Sequence, residues 1–246
     1  MNFIGLKNYV KVLQDRDFYA AMLRTLLYTL VNVPFKVLLP LGTAVLLTSK
    51  RLRCRTFFRA GLYIPVLLSS LIVGITINWM FGQEYGLINF MIQKLGGTAL
   101  EWSMNPVLAE TVISIASNWA SLGYFMLIFI GAINNVPKEL YEAASIDGAD
   151  RWQSFLHITI PMIAPETFLV LMLSTNDLLK EYAVVQGVTR GGPGSSTTFI
   201  LQYIYEQGFN SGKNGYASAI SVLAMVVFLA IALVQFKFTN GGDDND

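Results

Sequence analysis

Five apolar stretches, each about 20 residues long, dominate this chain and limit what it can fold into. They are 25–47, 60–81, 107–133, 158–179 and 217–237. A helix of about 20 residues crosses roughly 30 Å of hydrocarbon, and an open sheet cannot satisfy its backbone groups there. Of 246 residues, 54% are hydrophobic and 13% are charged, which leaves too little polar surface for a soluble globule. The sequence therefore predicts an all-α membrane protein with about five transmembrane helices, kinked by prolines.

The polar segments between the apolar stretches give the organisation and orientation. The predicted parts are an amphipathic start at 1–24, a transmembrane domain at 25–237 and a polar tail at 238–246. Five basic residues crowd the loop between the first two spans, and the following loop holds only Lys94; the five are Lys50, Arg51, Arg53, Arg55 and Arg59. Because basic residues favour the cytoplasmic side, that first loop is predicted to be cytoplasmic. By alternation the loop at 134–157 is also cytoplasmic.

This orientation places the start of the chain outside the cell, although no signal peptide precedes it. The basic residues before the first span are an exception to the charge rule. Two explanations stay open: a first transmembrane helix is missing from this chain, or the start is translocated unaided.

A hydrophilic segment at 142–161 interrupts two long apolar runs. Pro137 suits the first turn of a helix over 138–146, Gly148 suits its end, and Asp150 suits the cap of a second short helix. Two short helices on the membrane surface would form a docking site for another protein. The alternative is a surface hairpin that only joins two spans.

Particular side chains in this segment favour docking. Ala143, Ala144 and Gly148 are small enough for a partner's backbone to approach closely, and the Glu142 carboxylate suits pairing with a partner's arginine. Pro161 then leads into the next span.

The combination of Glu142-Ala143-Ala144, Gly148 and Ile160-Pro161 resembles the EAA loop of permease subunits in bacterial ATP-binding-cassette (ABC) importers. Further stretches are similar to the carbohydrate-uptake branch of these permeases, akin to the membrane subunits of the maltose transporter. They are Asn8-Tyr9, Leu62-Tyr63-Ile64-Pro65, Trp79-Met80-Phe81, Tyr85-Gly86-Leu87-Ile88-Asn89 and Thr189-Arg190-Gly191-Gly192-Pro193-Gly194. The likeness covers nearly the whole chain.

The resemblance implies a multi-pass permease subunit in the bacterial cytoplasmic (inner) membrane. Its implied partners are a second permease subunit, commonly forming a heterodimer, two ATP-binding subunits and an extracytoplasmic sugar-binding protein. The residues implied to couple it to the ATPase are Glu142, Ala143, Ala144, Asp147, Gly148 and Pro161. The chain has no Gly-x-x-x-x-Gly-Lys-Ser/Thr loop, so ATP and Mg²⁺ are expected on the partner subunits, and we expect no cofactor, metal ion or nucleic acid on this chain.

The sequence departs from the family pattern at two places. The family core has six spans, and the resemblance implies that the usual first span is the one we expect to be missing from these five. Many relatives carry Phe-Asp before the Gly-Gly-Pro loop, whereas this chain has Tyr182-Ala183. A role for that aspartate therefore does not carry over.

Polar residues in the third and fourth spans are candidates for a sugar path, because polar groups in a membrane are costly unless they face a cavity or a partner. Amides, carboxylates and aromatic rings suit sugars. The candidates are Asn118, Ser121, Gly123, Tyr124, Asn176, Asp177, Glu181 and Tyr182. The alternative is that such residues only pack against neighbouring helices or hydrogen-bond to them.

A rival function is an ion-coupled secondary transporter that uses Asp177 and Glu181 as its carboxylates. That function leaves the segment at 142–161 without a purpose. An intramembrane enzyme is disfavoured because no catalytic constellation occurs at suitable spacing.

Overall fold

The computed structural model describes residues 5–49 and 54–240, with side chains up to residue 237 in the last helix. Across those residues the fold is all-α, without strands. The α-helices there are α1 (Lys7–Leu13), α2 (Arg16–Thr48), α3 (Arg55–Tyr63), α4 (Ser70–Met80), α5 (Leu87–Lys94), α6 (Pro106–Asn135), α7 (Lys138–Ile146), α8 (Arg151–Ser154), α9 (Ile160–Met162), α10 (Ala164–Leu179), α11 (Ala183–Val188), α12 (Ile200–Tyr205) and α13 (Asn214–Asn240). The predicted basic residues Lys50, Arg51 and Arg53 and tail residues 241–246 lie outside the described residues.

Within the described residues, three helices are each long and apolar enough to cross a membrane: α2, α6 and α13. Two bent pairs raise the number to five if each pair counts as one span. The pairs are Arg55–Leu67 with Ser70–Met80, and Arg151–Met162 with Ala164–Leu179. The predicted class, an all-α membrane protein with about five spans, is confirmed.

The details of the spans differ from the prediction. α2 begins at Arg16 rather than near residue 25, so part of the predicted polar start belongs to the first membrane helix. It also runs through Pro34 and Pro40 as a single helix. The second predicted span is not continuous, because Leu68 and Ser69 have extended backbones (ψ 149° and 135°).

The fourth predicted span is also interrupted. It bends by 68° between α9 and α10, at Ile163. Helical structure before this bend reaches back through a π-helical turn at Phe155–Thr159 to α8. The first part of the predicted span therefore continues from the hydrophilic segment.

One compact unit comprises residues 33–49, 54–68 and 118–174 of the described chain. Its apolar core is formed by the second halves of α2 and α6 together with α10; the most enclosed side chains are Ala44, Met126, Phe129, Ile163 and Val170. α6 approaches α3 closely at Gly123, where an added Cβ would lie 2.4 Å from the Leu62 carbonyl oxygen. Small residues allow this kind of contact between membrane helices.

The other unit comprises residues 5–32, 69–117 and 175–240 of the described chain. One of its cores joins α1, the start of α2, α12 and α13, with Val12, Ala21, Ile200 and Ile220 almost fully enclosed. Elsewhere in the unit α4 crosses α11 through two glycines. A Cβ on Gly74 would lie 2.7 Å from the Val184 carbonyl oxygen, and a Cβ on Gly187 would lie 2.7 Å from the Leu71 carbonyl oxygen. The backbones can approach this closely because both glycines lack side chains.

Candidate functional site

The hydrophilic segment forms two short helices joined by a glycine turn. α7 ends at Ile146, and the N–H of Ala149 donates to the Ala144 carbonyl at 2.9 Å, which closes the helix end. Gly148 has φ +81°, in the left-handed region that favours glycine. No atom lies within 4 Å of a Cβ built there, so the backbone angle alone selects glycine at this position.

The second short helix begins at a reciprocal cap. Asp150 Oδ1 accepts from the Gln153 N–H at 2.8 Å, and Gln153 Oε1 accepts from the Asp150 N–H at 2.8 Å. The predicted cap at Asp150 is confirmed. It satisfies two backbone donors at the start of α8, which fixes the direction in which the chain leaves the turn.

A hydrogen bond that the sequence did not predict ties α7 to the following helical stretch. The hydroxyls of Tyr141 and Thr159 lie 2.8 Å apart, and Thr159 is buried. The Tyr141 ring also packs against the core of this unit. The sequence indicates only that Tyr141 lies one turn from Ala144 on the same face of α7.

The outer surface of α7 is available to a partner. Glu142, Ala143, Asp147, Gly148 and Pro161 are exposed, and Ala144 is half-buried. The nearby apolar residues Ile146 and Trp152 are 87% and 66% exposed. Two open grooves of about 460 and 360 Å³ flank the turn.

The candidate path residues on α6 have different surroundings. Gly123 is buried against the backbone of Leu62 and Tyr63, so it has no room for a solute. Tyr124 is 45% exposed. Asn118 and Ser121 are half-buried.

The candidates at the end of α10 and just after it also differ in exposure. Asn176 and Asp177 are exposed, whereas Glu181 is only 7% exposed. Glu181 Oε2 accepts a hydrogen bond of 2.6 Å from the Ser117 hydroxyl on α6. Ser117 is not among the residues predicted from the sequence, because nothing local links residues 64 positions apart.

Tyr182 begins a short row of aromatic rings. Its ring centroid lies 5.4 Å from that of Tyr205, which stacks on Phe209 at 4.9 Å. Burial, with a further contribution from Tyr205, raises the pKa of Tyr182 above its ordinary value of 10.0. The phenol therefore stays neutral and can both donate and accept a hydrogen bond.

A second unpredicted cluster lies at the start of α2. The hydroxyls of Tyr203 and Tyr216 both donate to Oδ2 of Asp15. Burial acts to raise the pKa of Asp15, but the hydrogen bonds from the two tyrosines and from the backbone of Asp17 and Phe18 together outweigh it and lower the pKa below 3.8. Burial and the bond to Asp15 raise the pKa of Tyr203.

Nothing in the described part of the chain brings three or more His, Cys, Asp or Glu side chains together where they could hold a metal ion.

The sequence matches a family model described as binding-protein-dependent transport system inner membrane component over residues 14–239. It is 34% identical to the arabinooligosaccharides transport system permease protein AraP of Bacillus subtilis (strain 168), covering 97% of this chain and 77% of that protein. It is also 34% identical to the trehalose/maltose transport system permease protein MalF of Thermococcus litoralis, covering 96% and 79%.

A solved structure shares the fold. It is the crystal structure of a bacterial alginate ABC transporter in complex with alginate pentasaccharide-bound periplasmic protein, with a TM-score of 0.85 and 24% identity. The match covers 94% of this chain and 81% of that chain.

Proposed function

The chain belongs to the family of binding-protein-dependent transport system inner membrane components, and from this premise we propose that it carries a sugar or related solute delivered by an external binding protein. Relatives such as AraP and MalF are named as transport system permease proteins, which supports a transport subunit rather than an enzyme. Two relatives named for sugar transport align with at least 96% of the chain, which supports a sugar as the solute.

The geometry of α7 and α8 carries the proposed mechanism of coupling. Gly148 and the Asp150 cap fix the angle between the two helices, and the bond between Tyr141 and Thr159 ties α7 to the stretch leading into α10. A push on the exposed surface at Glu142 and Ala143 would therefore move the membrane helices instead of bending a loose loop.

ATP would be hydrolysed by two partner subunits, because this sequence has no phosphate-binding loop. ATP and Mg²⁺ belong to those subunits in this proposal, and this chain binds no cofactor. A second permease subunit, in a heterodimer with this one, would complete the path across the bacterial inner membrane. Glu142 suits an arginine of the ATPase, while Ala143, Ala144, Asp147, Gly148 and Pro161 complete the contact surface.

Glu181 is the candidate that best fits the substrate path. Glu181 lies two residues after the end of α10, and its carboxylate accepts the hydrogen bond from Ser117. Tyr182 is the next residue, so a carboxylate and a phenol are neighbours in the sequence. Together they provide acceptors, a donor and a ring for a sugar. The packing of Gly123 against α3 favours a structural role at that position.

The test is reconstitution. The chain, its second permease subunit and the ATPase are purified together, placed in proteoliposomes and supplied with the binding protein. We expect ATP hydrolysis that the binding protein stimulates, together with uptake of the labelled sugar. Uptake abolished by an ionophore but unaffected by ATP depletion would instead support ion coupling through Asp177 and Glu181, which family membership disfavours.

A further inference from the structure

A groove of about 610 Å³ lies at the end of α4, in a part of the chain to which the proposed mechanism gives no role. Its volume is within the range of about 300–1,000 Å³ that is usual for small-molecule sites. The side chains that line it are Asn78, Trp79, Gln83, Glu84, Tyr85 and Ser103. Trp79 is 80% exposed and Tyr85 is 95% exposed, so both rings have accessible surface.

The groove stands on a fixed base. Gly86 is packed so tightly against the preceding turn that an added Cβ would lie 2.2 Å from the Gly82 carbonyl oxygen. Asn89, only 2% exposed, donates one hydrogen bond to the Gln83 carbonyl and makes three with the following loop, including one accepted from Trp102 Nε1 at 2.9 Å. The Trp102 ring packs edge-on against Phe81, with centroids 4.9 Å apart. Because these contacts already fix the backbone beneath the groove, the protein loses less conformational freedom when a ligand binds.

The lining has the chemistry of a carbohydrate site. Aromatic rings contact the apolar C–H faces of sugars, and amides, a carboxylate and a hydroxyl match the donors and acceptors of sugar hydroxyls. Among the described residues that line the groove, Glu84 is the only charged one. The groove therefore disfavours an anionic sugar and also the phosphate of a lipid headgroup.

The groove lies on the outer face of the membrane if the proposed function is right. Residues 82–105 precede α6 and the segment with α7 follows it, and α6 is a 30-residue apolar helix. At 1.5 Å per residue such a helix is long enough to cross the bilayer, so its two ends lie on opposite faces. A cytoplasmic α7 thus places Trp79 and Tyr85 on the side where sugar arrives.

We propose that this groove is an accessory binding site for a neutral oligosaccharide, separate from the polar residues within the spans. The inference rests on the proposed function for its side of the membrane and its sugar class. Trp79 and Tyr85 stack on pyranose rings, while Asn78, Gln83 and Glu84 bind hydroxyl groups.

Equilibrium binding of radiolabelled maltotriose to the assembled transporter in nanodiscs, without binding protein, tests the proposal. Trp79→Ala and Tyr85→Ala should each raise the Kd of one class of maltotriose sites about tenfold, as expected when a stacked ring is lost. Phe90→Ala, an exposed ring on α5 outside the groove lining, should bind like the wild type. An anionic triuronate should compete poorly and should compete better against Glu84→Gln.

Maltotriose binding that neither groove substitution changes would overturn the proposal. It would also fall if Trp79→Ala lowered only the thermal stability of the complex, because Trp79 would then be a membrane-interface anchor. Weaker attachment of sugar-free binding protein with unchanged maltotriose binding would identify a protein-docking surface instead. Uptake by the wild type with binding protein is measured separately and tests the proposed function. The proposed function and the accessory site can therefore fail independently.

Discussion

The Ser117 hydroxyl on α6 donates a 2.6 Å hydrogen bond to the Glu181 carboxylate, and both residues are buried. A buried carboxylate that loses a donor incurs a desolvation penalty of about 1–3 kcal/mol. The bond therefore holds in place the carboxylate that we propose for the substrate path.

We expect Ser117→Ala to destabilise the protein by about 1–3 kcal/mol and to raise the KM for uptake, because Glu181 loses its fixed position. Glu181→Gln should raise KM with a smaller loss of stability, since the amide still accepts the bond. Ser218→Ala is the control, because Ser218 is exposed and its hydroxyl donates to the Asn214 carbonyl of its own helix. Thermal unfolding and uptake kinetics measure both effects, and an unchanged KM in both variants would remove Glu181 from the path.

Gly148→Ala should weaken coupling while leaving assembly intact. An alanine at φ +81° is strained by about 1–2 kcal/mol, and no neighbouring atom adds a clash. The end of α7 would shift to relieve this strain, so stimulation of the ATPase by binding protein should fall severalfold. Gly131→Ala is the matched control, since its added Cβ also meets no atom within 4 Å and its φ is not positive. Equal stimulation in the two variants would contradict a role for the turn.

Gly123→Ala should act through packing. The new Cβ would lie 2.4 Å from the Leu62 carbonyl oxygen and 2.7 Å from the Tyr63 Cα, both of them backbone atoms that cannot rotate away. We expect a loss of roughly 1–3 kcal/mol or more, seen as a lower yield of assembled complex. A stable variant that changes only sugar affinity would restore Gly123 to the substrate path.

Tyr141→Phe tests the tie between α7 and Thr159. The substitution removes one hydroxyl and keeps the ring, so stability should fall by only about 0.5–1.5 kcal/mol. If the tie transmits motion, ATP hydrolysis should continue while uptake per ATP decreases. Thr159→Val should produce the same change, and the double variant should be no worse than either single one. Additive losses would show that the two hydroxyls act separately.

The features that were predicted from the sequence are those that depend on residues close together in the chain. Five apolar runs gave the membrane class, and the order of Pro137, Gly148 and Asp150 gave two short helices with a turn between them. Local patterns could not reveal the bond from Ser117 to Glu181 or the bond from Tyr203 to Asp15, whose partners are 64 and 188 positions apart. The break at Leu68 and Ser69 was also missed, because an apolar run looks the same whether its helix is whole or interrupted.

The Asp15 cluster predicts a dependence of stability on acid. The folded-state pKa of Asp15 is lowered, so its stabilising contribution is complete above the ordinary value of 3.8 and is lost as the pH falls through the folded pKa. Asp15→Asn should therefore be less stable than the wild type at pH 7, by about 1.5 kcal/mol from the loss of charge-assisted bonds, and the gap should narrow below pH 4.

Thermal unfolding of the assembled complex between pH 7 and pH 3 measures this gap. When Tyr203→Phe is combined with each, the gap between wild type and Asp15→Asn at pH 7 should also be smaller, because the Tyr203 phenol is one of the donors that lower the pKa of Asp15. Asp17→Asn is the control: Asp17 is exposed in the first turn of α2, where loss of a charge costs about 0.3–1 kcal/mol. A gap between wild type and Asp15→Asn that stays constant down to pH 3 would mean that the Asp15 charge does not stabilise the contact between the start of α2, α12 and α13.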